Sequence, residues 1–116
     1  MEINEILMNT LTPVFSKVAP HEYVGKEKTY CVFNYFILGD DYADDSPGHE
    51  RYIVQVHLFF PLQTNSLNTI KRTKQALVGA GFTWPSSTDA SDEDGQHIVL
   101  ECEYAKEVDL DGDDGN

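Results

Sequence analysis

Two strings constrain the fold more than anything else in the chain: "TYCVFNYFIL" at Thr29–Leu38 and "RYIVQVHLFF" at Arg51–Phe60. Both are dense in β-branched and aromatic side chains, which pack well on a pleated surface and predict strands. Side chains alternate across a strand, so in the second string Tyr52, Val54, Val56, Leu58 and Phe60 share one face. That apolar face belongs in a core. The opposite face mixes Ile53 and Phe59 with Gln55 and His57, and partial cover, such as another subunit would give, is expected there.

Between the strings, "GDDYADDSPGHE" reads as a long loop from its Gly, Asp, Ser and Pro content. Its acids Asp40, Asp41, Asp44, Asp45 and Glu50 are expected to form an exposed acidic loop that keeps the strands soluble. Hard cations want several carboxylates on a rigid frame, and Gly39, Ser46, Pro47 and Gly48 do not promise one. No metal site is expected.

Helices are expected on either side of the strand pair. Ile3, Ile6, Leu7, Leu11, Val14, Phe15 and Val18 recur at three-and-four spacing, with Pro13 set to kink or divide the helix and Pro20 to end it. A second helix is expected over "NSLNTIKRTKQALVGAG", with Asn65 or Ser66 as cap, Leu67, Ile70, Leu77 and Val78 as its stripe, and Gly79 or Gly81 as its stop. "FTW" reads as a short strand and Ser87–Gly95 as an acidic loop. Gln96–Val108 alternates again, with Ile98, Leu100, Cys102 and Tyr104 opposite His97, Val99, Glu101 and Glu103. The order helix, strand, strand, helix, strand, strand predicts an α+β fold, with a mostly antiparallel four-stranded sheet flanked by two main helices. A single domain over 1–108 and a disordered acidic tail over 109–116 are expected.

The formal charge is -12. From Asp89 onward there are 11 acidic residues and one lysine, whereas Lys71, Arg72 and Lys74 cluster without an acid nearby. Such a field disfavours nucleic acid, whose phosphates need cations. The basic cluster is better suited to acids on a neighbouring subunit and is the candidate partner surface.

Motifs for chemistry are weak. Asp109, Asp111 and Asp113 begin like a calcium loop, but Asp114 stands where glycine is needed and no twelfth ligand follows. His21, His49, His57 and His97 form no metal-ligating pattern, and "GKEKT" lacks the glycine spacing of a phosphate loop. Cys31 and Cys102 lie in apolar strings, where free buried thiols are the expectation. No catalytic residue, cofactor or enzymatic activity is expected. The acidic start of "MEINEILMNTL" and the lack of a long apolar run predict a chain that is neither exported nor in the membrane.

In order, "ILMNTLTPVF", "TYCVFNYF", "DDYADDSP", "RYIVQVHLFFP", a polar helix ending in "GAGF", and "QHIVLECEY" resemble the small tail-completion proteins of long-tailed bacteriophages. These include tail terminators and head-to-tail joining components. The resemblance spans residues 2 to 106 and rests on strand phrases. It implies an α+β subunit of the virion tail, assembled in the host cytoplasm into a hexameric ring between tail tube protein and head connector protein. It also implies that "CVFNYF" and "YIVQVHLFF" are adjacent central strands and "TIKRTKQAL" an outer helix. The competing expectation is a DNA-mimicking inhibitor, whose carboxylates would occupy a basic groove on a host protein. The basic helix favours the ring.

Overall fold

The computed structural model describes residues 2–43 and 46–107, with side chains given except for 39–49 and 106–107. Two helices and five strands follow the order α1 (Ile3–Leu11), β1 (Val18–Pro20), β2 (Tyr30–Ala43), β3 (Ser46–Phe60), α2 (Leu67–Gly79), β4 (Ser86–Asp89) and β5 (Gln96–Glu107). The sheet order is β1-β2-β3-β5-β4, parallel between β1 and β2 and antiparallel elsewhere. The α+β class expected from the sequence holds, but the sheet has five strands rather than four.

The fifth strand is β1. Its three residues join through backbone bonds at either end, Cys31 N–H donating to Lys17 and His21 N–H to Phe33, and through Val18 against the core, which no alternation pattern announces. β4 likewise falls on Ser86–Asp89, four exposed polar residues, rather than on "FTW". Gly39–Ala43 and Ser46–Glu50, within the segment read as a long acidic loop, are also strand in their backbone. β2 and β3 stay in register through Gly39↔Glu50 and Asp40↔His49 to Ala43↔Ser46. Cross-strand hydrogen bonding overrides the turn composition there. The tail from Asp109 lies outside the described residues, as do the side chains of Asp40, Asp41, Asp44 and Asp45.

α1 begins with Glu2, whose carboxylate accepts from the Asn4 N–H at 2.9 Å while Glu5 accepts from the Glu2 N–H. It ends at Leu11, before Pro13, which can neither donate to nor fit inside the next turn. Phe15 still reaches the core, because the chain closes a last turn through Phe15 N–H and the Leu11 carbonyl. In α2 the N-cap is Ser66, but its hydroxyl leaves the helix and donates to Gln96 at 2.6 Å. Gly81 stops α2 with φ of +104°, the left-handed geometry that lets Phe82 N–H return to the Leu77 carbonyl.

Both helices cover one face of the sheet. Phe33, Leu58, Val54, Val56 and Leu100 from the strands meet Leu7, Leu11 and Leu77 from the helices without solvent exposure. The face assignments expected for β3 and β5 hold. Gln96 ties the loop after β3 to the core, its amide donating to the carbonyls of Pro61, Leu62 and Thr64 at 2.8–3.1 Å.

Candidate assembly surface

Length alone separates two parts of the sheet. At roughly 3.3 Å per residue, strands of 14 and 15 residues run roughly 45–50 Å, whereas a 13-residue helix covers about 20 Å. The helices therefore lie over only one part of the central strands. The rest projects as an arm of β2, β3 and β5, in a molecule measuring 53 × 25 × 24 Å.

Three tyrosines mark where the body ends. Tyr35 donates its hydroxyl to Asn4 Oδ1 at 2.9 Å and meets Tyr52 edge-on at 6.1 Å, while Tyr52 and Tyr104 stand directly across from each other in the β3–β5 register. Phe82 closes the row against Tyr104 at 4.9 Å. Tyr52 also donates to Glu50 at 3.0 Å, and its pKa is pushed up to about 12, first by burial and then by that carboxylate.

Beyond this row apolar side chains meet solvent on both faces of β2. Phe36 is 58% exposed, Ile37 49% and Leu38 41%. Phe36 and Leu38 share the face opposite the helices, and Ile37 lies on the helix side past the reach of either helix. The arm's ion pair is also solvated: Arg51 donates to Glu103 at 3.0 Å with both side chains more than a third exposed. On the β5 margin Trp84 is 60% exposed, next to Thr83, which is bound to Glu103 through both its N–H and its hydroxyl.

At the other end, the open face of the sheet is occupied by its own rings. Tyr23, Tyr30, Phe59 and His97 stand side by side with centroids 4.3–4.6 Å apart, the last three in one cross-strand row. Ring faces that cover each other are not free to stack a nucleobase. Tyr23 sits over Gly25, where an added Cβ would meet the end of the ring, so a side chain there would displace the tyrosine. His57 Nδ1 lies 2.9 Å from His97 Nε2, and His57 Nε2 is buried with no hydrogen-bond partner among the described residues. The arrangement that leaves a bare lone pair there, rather than an unmatched N–H, has His57 Nδ1–H donating to His97. Burial first, and the neighbouring His97 second, hold the His57 pKa below its ordinary value.

The sequence-derived candidates are scattered. Lys71 and Arg72 are exposed on α2, and Lys74 reaches across to Ser87 at 3.2 Å. Glu50 is engaged by Tyr52 rather than free in a loop. Cys31 and Cys102 are both buried free thiols; burial alone drives the Cys31 thiol far up, and the Cys102 thiol is pushed up to about 12, first by burial and then by Glu101 and Glu103. Among the described residues no group of three or more His, Cys, Asp or Glu side chains could hold a metal ion, and no helix is long and apolar enough to cross a membrane.

Sequence reasoning missed Phe36, Ile37, Leu38 and Trp84 as surface residues. Strand length set against helix length was the signal for Ile37, and alternation, which sets Phe36 and Leu38 on the face opposite Phe33, was the signal for those two. For Trp84 no local signal existed, since an aromatic after a helix stop is as often buried as Phe82 is.

No protein-family model matches the sequence, and no curated protein matches it. Among solved structures, 13 chains are similar. One of them, which carries no functional name, aligns with a TM-score of 0.57 at 9% identity, over 94% of this chain and 98% of its own. At that identity the likeness is one of fold alone.

Proposed function

We propose that this chain is a structural subunit of a bacteriophage tail, a tail terminator or completion protein that forms a ring at the head–tail junction. The observation that carries the reading is the arm. A body with a filled core gains nothing in folding from a projecting sheet that leaves Phe36, Ile37, Leu38 and Trp84 in water, whereas an assembling subunit gains contact area from it. Trp and Phe are the residue types that dominate such contacts once covered. The exposed cations of α2 add a second surface for an acidic neighbour. A formal charge of -12 suits a passage that DNA must traverse without being held.

Light scattering across concentration, with and without purified tail-tube protein, tests this reading. A closed species of about six subunits, alone or on tubes, is the expected result; symmetric closure can need a template. A chain that stays monomeric with tubes present overturns the ring. Capture of a basic host protein by that monomer would favour the DNA-mimic alternative.

A further inference from the structure

Along α2, apolar and cationic side chains share one stripe. Leu67, Lys71, Lys74 and Val78 follow one another at four, three and four residues, with Arg72 on the adjoining outer crest. Leu67 is 77% exposed and Val78 41%. Both ends of the stripe are thus apolar and its middle is cationic. The positive end of the helix adds to the same field, since its first turn holds no acid and the Ser66 hydroxyl is spent on Gln96.

One stretch of the chain has the matching chemistry. Past β5 the sequence reads "VDLDGDD" over 108–114, where Val108 and Leu110 alternate with Asp109 and Asp111, Asp113 and Asp114 follow, and no cation intervenes. The lengths also agree: Leu67 to Lys74 spans about 10 Å of helix, and Leu110 to Asp113 about 10 Å of extended chain. Other acidic stretches fit less well. Residues 89–94 contain no large apolar side chain, and Asp89 and Asp92 already accept from the N–H groups of Ser91 and Asp94. Residues 40–43 are held in the β2–β3 ladder.

We infer that residues 108–114 of one copy dock on α2 of the next copy in the ring, with Leu110 over Leu67 and the aspartates along Lys71, Arg72 and Lys74. This rests on the ring reading and names the partner of the cationic helix. Distance excludes the same chain. α2 starts beside Gln96, to which Ser66 is bonded, and stops at Gly81, which lies against Tyr104. Leu67 is therefore about eleven strand residues, roughly 35 Å, from Glu107, whereas Leu110 follows Glu107 by three residues and reaches roughly 10 Å. Even the nearest cation, Lys74, ends at Ser87 opposite Leu100, roughly 23 Å back along β5, and Asp111 reaches roughly 14 Å. One projecting segment and one receiving helix per copy make a head-to-tail contact, the kind that closes into a ring. Solvated ion pairs are individually weak, so the contact acts through their number, the apolar anchor and repetition around the ring.

Paired charge reversal on the full-length chain tests the contact. Lys71→Glu with Arg72→Glu should keep the wild-type circular dichroism and raise the concentration for half-maximal ring formation on tubes at least tenfold. Adding Asp111→Lys and Asp113→Lys should bring that concentration back toward the wild-type value. Rings that form normally despite the reversal on α2, or a loss that the compensating pair does not repair, would overturn the inference while leaving the ring standing. Carbodiimide, which joins lysine amines to adjacent carboxylates, gives an independent readout in rings assembled from mixed isotope-labelled and unlabelled chains. The expected product bonds Lys71 or Lys74 to an aspartate of 109–114 across a labelled and an unlabelled chain. Absence of that product from intact rings, links confined to one chain, or links from these lysines to tube protein instead would each overturn the docking. A wild-type chain that forms no ring on tubes removes ring and contact together.

Discussion

Body and arm are built from the same three strands with the same alternation, yet they differ in what lies over them. Phe33 and Ile37 are four residues apart on the same face of one strand; the first is fully buried under the helices and the second is 49% exposed. Burial here is decided by the length of the covering helices rather than by the strand's composition. Stability should therefore reside in the body and association in the arm.

The largest effect should come from cutting the body's core. Leu100→Ala removes a fully buried side chain and should cost about 3–5 kcal/mol in urea unfolding. Phe36→Ala in the arm should stay within about 0.5 kcal/mol. Equal costs would erase the distinction.

Next comes the polar clamp at the edge of the body. Gln96→Leu would strip three loop carbonyls and the Ser66 hydroxyl of their partner, at about 1–3 kcal/mol in the same assay. A neutral result would mean that water replaces the amide freely.

The histidine pair sets a pH dependence of the body's open face. Because the folded-state pKa of His57 lies below its ordinary 6.5, the unfolded chain takes up its proton first as pH falls. The contribution is full above about pH 6.5, where both states are neutral, and is lost as acidification passes through the folded pKa. Thermal unfolding of the His57→Phe variant should fall less steeply between pH 7.5 and 5 than that of wild type; parallel curves would assign the dependence to other groups.

The smallest effect belongs to the arm's own ion pair. A double-mutant cycle on Arg51 and Glu103 should give under about 1 kcal/mol, decreasing with added salt, because both side chains are solvated.

The same division explains what could be read from the sequence. Alternation in β3 and β5 placed their core residues correctly, because burial on one face leaves a period-two trace. β1 and β4 left none: one is three residues held by backbone bonds, the other four exposed polar residues. Turn-forming residues from Gly39 to Glu50 suggested a loop, since composition reports local preference and cannot register a partner strand across the sheet. The basic cluster on α2 was legible as charge. The arm's surface was not, because Ile37 carries the same letter whether a helix covers it or not, and the letters of Phe36 and Leu38 do not say that their face of the sheet is left open.

Negative-stain electron microscopy of tail tubes incubated with the protein addresses the central claim most directly, with a Phe36→Glu, Leu38→Glu double variant of matched thermal stability alongside. The expected result is a ring capping one end of tubes with wild type, and bare ends with the variant. Bare ends with both proteins, or caps with both, would contradict the assignment of assembly to the arm.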